Sequence, residues 1–515
     1  MPYSMKRCYL ITTLAAGLSV AVYLVWAAAN TAPGFPLDDG WIHQVFARNL
    51  AQRGEFSYNP GQIVAGSTSP LWTFMLVPGY LFGGESYKWW AYLLGLLFLV
   101  LTAGEVARLY RLLFPLNQPE GKWPAYLIAA LFTLFEWHLV WAGASGMETL
   151  LFTFGTLLLV RYYLETAQKE TTSEKVLIPY GLLGLVGGLL TLVRPEGMVL
   201  LGLVGLDIGW RKFSKANRRN WLWLGQRWLA IALVWLVPLV PYLIFNYSAS
   251  GSPLPTTFYA KASGYANDHS LGAMLDYLGK ALVEIIGRSP LLFLLPGLVF
   301  ALYLCLKPGQ RLGDWRPLVW PPLLLVLYAI QLPVTYQHGR YLMPLIPFLA
   351  LYGVFGTAKL IEWLQQQKLQ MVARLVPFVL ALPVLIAWLN NAQAYQFDVK
   401  LINDEQVRIG LWLRDNTPPS ASVASHDIGA IGYFSQRHLV DTAGLVSPEF
   451  IPIVGNEPAI LERLRTEGVT YLALFPDWYA YLNQLLTDEG RKVFQPAETY
   501  LAPLGKENMA VFKLK

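Results

Sequence analysis

The sequence is poor in charged residues. Asp, Glu, Lys and Arg make up only 14% of its 515 residues, while hydrophobic residues make up 55% and the mean hydropathy is +0.40. Soluble globular proteins carry about 25% charged residues, so about half of the expected charge is missing. This deficit excludes an ordinary soluble protein, and the sequence predicts an α-helical polytopic membrane protein.

Cysteine is also scarce, and several familiar motifs are missing. Cys8 and Cys305 lie within apolar segments, so no disulfide framework is indicated and neither thiol is a predicted metal ligand. No spacing of histidines resembles a zinc site. No glycine-rich phosphate-binding loop points to nucleotide-sugar chemistry. The sequence therefore gives no support to a disulfide-stapled, zinc-dependent or nucleotide-binding protein.

What the sequence does contain is a series of apolar runs long enough to span a bilayer. The first run, 8–29, exceeds the roughly 7–15 residues of a signal-peptide core, which favours a retained helix, with cleavage after its terminal alanines as the alternative. Residues 69–83 are apolar but short, and are predicted as a re-entrant or interfacial helix. The other runs, which bring the predicted total to about eleven crossings, are 87–112, 123–141, 146–164, 176–192, 196–210, 228–246, 289–306, 317–334, 341–362 and 372–391.

The basic residues indicate an orientation. With the N-terminus inside, the predicted cytoplasmic loops carry more than twice as many Lys and Arg residues as the outer segments before residue 392. The net charge of +6 is therefore interpreted as loop charge, and no nucleic-acid partner is predicted. The catalytic face is predicted to be the outer face of the inner (cytoplasmic) membrane.

The composition changes near residue 392, where the chain becomes polar. DEQVRIGLWLRDNTPPSASVASHD predicts a helix, a loop and a strand, and GAIGYFSQRHLVDTAG and AILERLRTEGVTYLALF each predict a helix followed by a strand. The sequence therefore predicts two domains. These are a transmembrane domain, 1–391, with its first outer loop at 30–86, and a small soluble extracytoplasmic α/β domain, 392–515, in which Asp427 and Asp441 are interpreted as structural.

Uncommon polar residues converge on the predicted outer face. Ionisable groups at membrane depth are costly, so they indicate either a functional site or a network of mutually satisfied groups. The candidates are Asp38, Asp39, His43, Glu148, Arg194, Glu196, Lys261, His338 and Arg340, together with Tyr341.

The acidic candidates each have a structural alternative. Either Asp38 or Asp39 could cap the helix that follows, but capping explains only one of the two. Neighbouring carboxylates can also supply a general base with an orienting partner, or bind a divalent ion. Glu148 could be a charge at a helix start or a site residue. A metal ion is an open alternative here, with Asp39 and Glu148 as its ligands.

The basic candidates are interpreted as phosphate ligands. Arg340 is preferred because its guanidinium can bind phosphate oxygens bidentately. Arg194 could instead form a structural ion pair with Glu196, and Lys261 could extend to the interface. The two histidines, His43 and His338, are interpreted as hydrogen-bonded aromatic residues. They are predicted, with Glu148 and Tyr341, to bind substrate.

A family resemblance extends along most of the chain in order. Its segments are DDGWIHQVFARNLAQRGEFSYNPGQIVAGSTSPLW, SGMETLLF, TLVRPEGMVLL, GSPLPTTFYAKA, HGRYLMPLIP and SHDIGAIGYFSQRHLVDTAGLVSPE. This set resembles the GT-C superfamily of membrane glycosyltransferases, especially the branch of the mycobacterial terminal arabinofuranosyltransferase. The protein O-mannosyltransferases and lipid A aminoarabinose transferases are more distantly similar. The sequence has GSTSPLW where these two groups have His-Pro-Pro or an acid before Pro-Arg-Tyr, which disfavours both of their specific substrates.

The resemblance implies an inverting transfer of a sugar from a polyprenyl monophosphate to an acceptor hydroxyl of an envelope glycan, lipid or protein. It places the general base in the first outer loop, at Asp38 or Asp39, with Asp38 preferred as the leading acid. Glu148 matches an acid or metal-linked position of the second outer loop. No cofactor is firmly implied beyond the metal ion left open above.

Other functional classes remain as alternatives. A transporter or flippase of lipid-linked sugars would favour inverted repeats and polar groups at the midplane, whereas here no repeat is visible and the polar groups lie at the outer rim. An envelope polymer ligase would use a diphosphate-linked donor and outer arginines rather than an acidic pair. A purely structural scaffold would need neither the acids nor the cations.

Overall fold

A computed structural model describes residues 5–114, 124–169, 177–213, 219–264, 270–307, 312–497 and 506–514. Helices dominate the apolar part of the chain. They are α1 (Met5–Ala28), α2 (Asp39–Arg53), α3 (Pro70–Leu76), α4 (Ser86–Leu113), α5 (Ala125–Phe135), α6 (Trp137–Gly143), α7 (Thr149–Lys169), α8 (Ile178–Val193), α9 (Glu196–Phe213), α10 (Arg219–Ser250), α11 (Thr256–Gly264), α12 (Leu271–Leu282), α13 (Leu291–Leu306), α14 (Trp320–Gln331), α15 (Tyr336–Gly339), α16 (Ile346–Gln366) and α17 (Gln370–Ile402).

Several helices are long and apolar enough to cross a membrane. Within the described residues, five segments pass by length and composition, or up to seven if two bent helix pairs each count as one span. The five are Lys6–Ala28, Ser86–Leu113, Trp221–Ser250, Tyr336–Gln366 and Gln370–Asn416. The multi-pass character is therefore confirmed, while the predicted number of about eleven crossings stays a prediction.

The predicted span 123–141 is not one straight helix. Helices α5 and α6 meet at an angle of 61° at Glu136, whose backbone is extended (φ −70°, ψ 115°). The carboxylate of Glu136 accepts hydrogen bonds from the backbone N–H of Leu139 (3.3 Å) and the hydroxyl of Ser289 (3.0 Å). The break follows because this buried acid caps the second helix and binds a residue far away in sequence. Likewise, α13 follows the segment Leu271–Gly287 at a bend of 101°.

The segment 69–83 is too short to span, as predicted. It forms α3 and a 3-10 turn, Val77–Tyr80, which lie against α2. The predicted span 341–362 starts five residues before the regular helix α16, which begins at Ile346. A 3-10 turn that contains Pro344 precedes this helix.

Close helix packing depends on glycine at two places. A Cβ atom on Gly95 of α4 would lie 1.8 Å from the carbonyl oxygen of Gly143, and one on Gly356 of α16 would lie 1.8 Å from that of Gly297. Larger residues would push α4 from α6 and α16 from α13. Small residues at such contacts are typical of membrane helix bundles, in which backbones approach closely.

The polar C-terminal region contains a small mixed sheet. Its strands are β1 (Ser422–Ser425), β2 (His438–Asp441), β3 (Tyr471–Leu474), β4 (Lys492–Phe494) and β5 (Ala510–Lys513), and the helices beside them are α18 (Arg408–Asn416), α19 (Gly429–Ser435), α20 (Glu457–Thr466) and α21 (Ala480–Asp488). The order is β2-β1-β3-β5-β4, and β1 pairs in parallel with both β2 and β3. The predicted helix and strand pairs of this region are confirmed. The predicted boundary at residue 392 falls inside α17.

The first outer loop packs against this sheet region. The side-chain amide nitrogen of Asn59 donates to the Leu439 backbone carbonyl (2.8 Å), and the Leu439 N–H donates back to the side-chain Oδ1 of Asn59 (2.9 Å). The Tyr58 hydroxyl donates to the Ile428 carbonyl. The guanidinium of Arg48 donates to the Tyr433 carbonyl (2.8 Å). These contacts hold α2 and α19 side by side, which places the two acids at the start of α2 beside the sheet region.

The predicted orientation can be tested by cysteine labelling. The native cysteines, Cys8 and Cys305, are buried, so background labelling should be low. A Glu462→Cys variant, exposed on α20, is expected to react with a membrane-impermeant maleimide in intact cells. A Gln367→Cys variant, exposed after α16, is expected to react only after permeabilisation. The reverse pattern would refute the orientation.

Candidate functional site

Asp38 does not cap its own helix. It lies before α2, and its side chain makes no capping bond there. Instead, its carboxylate accepts hydrogen bonds from the backbone N–H groups of Gly429 (2.6 Å) and Ala430 (2.7 Å), at the start of α19. Burial and the nearby charge of Asp427 raise the pKa of Asp38, although the two N–H groups act in the opposite direction. Asp38 therefore joins the first outer loop to the C-terminal region.

Asp39 points to a different partner. One carboxylate oxygen accepts a hydrogen bond from the Arg340 guanidinium, 301 residues away in sequence. Burial alone would raise the pKa of Asp39, but the charges of Arg340 and Lys261 outweigh it and hold the pKa below its ordinary value. About 38% of the Asp39 side chain is exposed, whereas Asp38 is buried. Of the two acids, Asp39 is the one that a substrate can reach.

A strained turn positions Arg340. Gln337 and His338 both adopt left-handed backbone conformations (φ 50° and 58°), which non-glycine residues rarely do. The His338 imidazole lies edge-on to Trp137 and Trp141 and contacts the Asp398 carboxylate (2.8 Å). These contacts hold the turn, so the structure shows His338 supporting the backbone before Arg340.

Arg340 retains hydrogen-bonding capacity. Only 5% of the residue is exposed, and its Nη2 contacts Asp39 and the Tyr341 hydroxyl (3.0 Å). Its Nε and Nη1 atoms are buried and have no protein partner. A buried guanidinium with unmade hydrogen bonds is costly. This arrangement indicates an anion ligand.

A second ion pair lies beside the first. Arg194, in the break between α8 and α9, donates through Nε to the Glu148 carboxylate (2.7 Å). His43 of α2 lies 3.7 Å from the same carboxylate and bonds Thr73 of α3 (3.0 Å). The Nη1 of Arg194 is also buried without a partner.

The alternative in which Arg194 pairs with Glu196 is not what the structure shows. Glu196 instead accepts a hydrogen bond from the Tyr328 hydroxyl (2.5 Å). The reason is geometric, because the backbone at Arg194 is extended (φ −151°, ψ 138°) and its side chain leads to Glu148 rather than into α9.

Tyr341 links the three predicted phosphate ligands. Its ring centroid lies 4.9 Å from Arg340, 5.2 Å from Arg194 and 5.9 Å from Lys261, as measured to the guanidinium carbon or the ammonium nitrogen. The electron-rich ring face favours such nearby cations. The structure therefore brings together Asp39, His43, Glu148, Arg194, Lys261, Arg340 and Tyr341, a group that we call the outer charge cluster.

The described side chains do not fit a metal ion. Among them, no group of three or more His, Cys, Asp or Glu residues could hold one. The two predicted ligands, Asp39 and Glu148, are each engaged by an arginine. We derive no step through a metal, and the divalent ion stays an untested part of the sequence prediction.

Some residues of the site were not predicted. Thr73 and Tyr328 are an ordinary threonine and tyrosine in apolar helices, and nothing in their sequence context marks them. Asp398 offered a signal, since it is a carboxylate near the C-terminal end of helix α17, where the chain changes from apolar to polar. Its partners, His338 and Trp141, were not identifiable without the fold.

The comparisons with known proteins begin with the C-terminal region. Residues 394–512 match the model of a family described as a domain of unknown function, DUF8728. No curated protein matches the sequence. This match covers only the polar C-terminal region. The comparison for the rest of the chain therefore rests on solved structures.

Three solved structures superpose on most of the chain. The oligosaccharyltransferase AglB from Archaeoglobus fulgidus, in complex with an inhibitory peptide and a dolichol-phosphate, has 12% identity and a TM-score of 0.60, covering 91% of this chain and 69% of that one. The Archaeoglobus fulgidus oligosaccharyltransferase in complex with Zn and sulfate has 14% identity and a TM-score of 0.60, covering 96% and 72%. ArnT from Cupriavidus metallidurans bound to undecaprenyl phosphate has 16% identity and a TM-score of 0.57, covering 98% and 97%.

These likenesses define the fold of the protein. AglB and ArnT are members of the GT-C superfamily, and this chain has the GT-C fold. The fold predicted from the sequence is therefore confirmed, while membership of the superfamily stays a prediction. The predicted arabinofuranosyltransferase branch also stays a prediction. At these low sequence identities, the structural likeness establishes only the fold.

Proposed function

We propose that the protein is an inverting glycosyltransferase of the cytoplasmic membrane. It moves a sugar from a polyprenyl monophosphate to an acceptor hydroxyl on the outer face. The observation that carries this proposal is the pairing of Asp39 with Arg340, in which a reachable carboxylate lies beside a buried guanidinium with two unpartnered nitrogens. A base and an anion ligand are thus adjacent.

The donor phosphate fits the cations of the outer charge cluster. Arg340 has two unpartnered nitrogens and Arg194 has one, and Lys261 lies on the same tyrosine ring. Phosphate oxygens would satisfy these donors through charge-assisted hydrogen bonds. AglB and ArnT support this assignment, since their solved structures hold dolichol-phosphate and undecaprenyl phosphate.

Asp39 is assigned as the general base. It accepts the proton of the acceptor hydroxyl while the hydroxyl oxygen bonds the anomeric carbon and the bond from that carbon to the phosphate oxygen breaks. The polyprenyl phosphate leaves with the bonding electrons. Attack from the side opposite the phosphate inverts the anomeric configuration.

Charge changes on the two sides of the reaction compensate each other. The donor phosphodiester carries one negative charge, and the released phosphomonoester carries about −1.5 to −2. Proton uptake by Asp39 removes a negative charge beside Arg340 as the leaving phosphate gains one. The cations that held Asp39 are then free to stabilise the phosphate, which lowers the barrier without any movement of the buried arginines.

Comparison of cells with and without the gene tests the function. Mass spectrometry of polyprenyl lipids should show one polyprenyl monophosphate sugar accumulating in the deletion strain, and an envelope component should lose that sugar. Accumulation of a diphosphate-linked polymer would instead indicate a ligase. Accumulation of the lipid-linked sugar on the inner face only would indicate a flippase.

The two neighbouring acids are expected to differ in role. Asp38→Asn replaces one acceptor of the paired N–H bonds at Gly429 and Ala430 with a donor. Leaving a buried N–H unsatisfied costs about 1–3 kcal/mol. We expect a lower thermal unfolding temperature and faster proteolysis of the C-terminal region, with sugar transfer retained at temperatures where the variant is folded. An unfolding temperature equal to that of the wild type would contradict the assigned contact.

A further inference from the structure

The C-terminal sheet has a topological switch point, at the carboxyl ends of β1 and β3, that the reaction above does not use. Strand β1 lies between β2 and β3 in the sheet. The connection that follows β1 leads to β2 on one side, whereas the connection that follows β3 leads to β4 on the other side. In parallel α/β sheets, ligands bind outside the carboxyl ends of strands at such a switch point. Two loops form this edge, 426–428 after β1 and 475–479 after β3.

Aromatic side chains line both loops. The His426 ring lies 5.2 Å from Trp478 and 6.3 Å from Tyr479, and Trp478 lies 4.9 Å from Phe475, as measured between ring centroids. Trp478 is 52% exposed and Tyr481, at the start of α21, is 49% exposed. We call Phe475, Trp478, Tyr479 and His426 the aromatic platform. Phe475 and Tyr479 also pack against the hydrophobic cores, whereas Trp478 leaves about half of its surface open to a ligand.

Polar groups border the platform. His426 contacts the Asp427 carboxylate (3.3 Å), whose other oxygen accepts a hydrogen bond from the Gln406 amide (2.8 Å). On the other side, the hydroxyls of Thr442 and Tyr479 lie 3.2 Å apart. Fixed carboxylate, imidazole and hydroxyl groups beside an aromatic face are suited to a ligand with hydroxyl groups and apolar C–H faces.

The platform lies close in the fold to Asp38, the residue that precedes the proposed base. Asp427 precedes Gly429 by two residues, and the Gly429 N–H is bound by Asp38. The approach is so close that a Cβ atom on Gly429 would lie 1.9 Å from the Asp38 carbonyl oxygen. Asp39, the proposed base, follows directly. The platform and the proposed base are therefore joined through the contact between Asp38 and Gly429.

The charge of the two loops favours a saccharide over an anionic membrane surface as the ligand of the platform. The segment FPDWYAY, residues 475–481, contains an acid and no basic residue, and the facing loop adds Asp427. Contact with an anionic membrane surface calls for Lys and Arg, whereas a saccharide needs hydrogen-bonding groups beside aromatic rings.

We propose that the aromatic platform binds a saccharide acceptor, whose terminal hydroxyl then reaches Asp39. This rests on the proposed function, because it names the acceptor class of that reaction as a glycan rather than a lipid or a protein. Trp478 supplies the stacking face, and His426 and Asp427 bind hydroxyl groups.

A retention experiment tests the platform. The probe is the polysaccharide fraction extracted from cells that lack the gene, immobilised and mixed with the full-length protein in lipid nanodiscs. The wild type should be retained, Trp478→Leu should bind about tenfold more weakly or worse, and Trp478→Phe should fall between them. Trp363→Leu, which replaces another exposed tryptophan, should bind as the wild type does. No retention of the wild type, or equal retention of Trp478→Leu, would overturn the proposal.

A second variant distinguishes this proposal from the proposed function. Asp39→Asn should be retained like the wild type but should transfer sugar about 10²–10⁴-fold more slowly. If Asp39→Asn transfers sugar normally while Trp478→Leu loses retention, the platform stands and the assigned base fails. If Asp39→Asn is slowed to this extent while Trp478→Leu is retained, the base stands and the platform fails. Equal unfolding temperatures of the variants would show that both are folded.

Discussion

Asp39→Asn is expected to lower the turnover number for sugar transfer by about 10²–10⁴-fold, because the variant cannot accept the proton of the attacking hydroxyl. The Michaelis constant for the donor should not rise, since loss of the carboxylate leaves Arg340 with a stronger positive potential for phosphate. The measurement is the initial rate of transfer in nanodiscs at varied donor concentration. A rate within a few-fold of the wild type would remove Asp39 from the mechanism.

The pH dependence of the transfer rate provides a second test of Asp39 as the general base. A base acts when deprotonated, so the rate should fall as the pH drops through its pKa. The pKa of Asp39 is held below the ordinary aspartate value of about 3.9, and no acidic limb should therefore appear above that pH in the free enzyme. Asp415→Asn, at an exposed aspartate of the C-terminal region, is the matched control and should leave both rate and profile unchanged.

Arg340→Gln is expected to act mainly on the donor. It removes the buried nitrogens that are assigned to phosphate, and each hydrogen bond to a charged group contributes about 1.5–3 kcal/mol. Since 1.4 kcal/mol is a factor of ten, loss of two such bonds predicts a fall of about 10²–10⁴-fold in kcat/KM for the donor. Inhibition by added polyprenyl phosphate should weaken in parallel. Unchanged inhibition would contradict phosphate binding by Arg340.

The same variant should also change the pH profile. The Arg340 charge helps to hold the pKa of Asp39 down, so its removal should move the acidic limb of the residual activity to higher pH. Arg340→Lys keeps the charge but not the forked guanidinium, and should shift the limb less while still weakening donor use. Arg288→Gln, at an exposed arginine, is the control and should affect neither property.

The charged site residues could be predicted because charge is rare in this chain. Asp39, Arg340 and Glu148 stand out among apolar neighbours, and the positive-inside pattern predicts that all three lie on one face. The sequence could not show which acid each arginine pairs with. Arg194 has an acid two residues away, yet its partner is Glu148, because the backbone direction at the helix break decides which carboxylate it meets.

The roles of the two acids illustrate the same limit. Local capping preferences apply to Asp38, but its N–H donors belong to Gly429 and Ala430, nearly four hundred residues away in sequence. The resemblance favoured Asp38 as the base, while the geometry favours Asp39. Helix breaks were missed for a related reason, since the partners of the Glu136 carboxylate at its helix break include Ser289, which is distant in sequence, as well as His138 and the N–H of Leu139.

The central claim is tested most directly by measuring polyprenyl phosphate release together with sugar transfer. Lipids from the deletion strain serve as donor and its polysaccharide fraction as acceptor, with wild-type protein or Asp39→Asn in nanodiscs. The account predicts that the wild type releases one polyprenyl monophosphate for each sugar transferred, and that Asp39→Asn releases it at least about 100-fold more slowly. Transfer without release of the monophosphate, or equal release by Asp39→Asn, would contradict it.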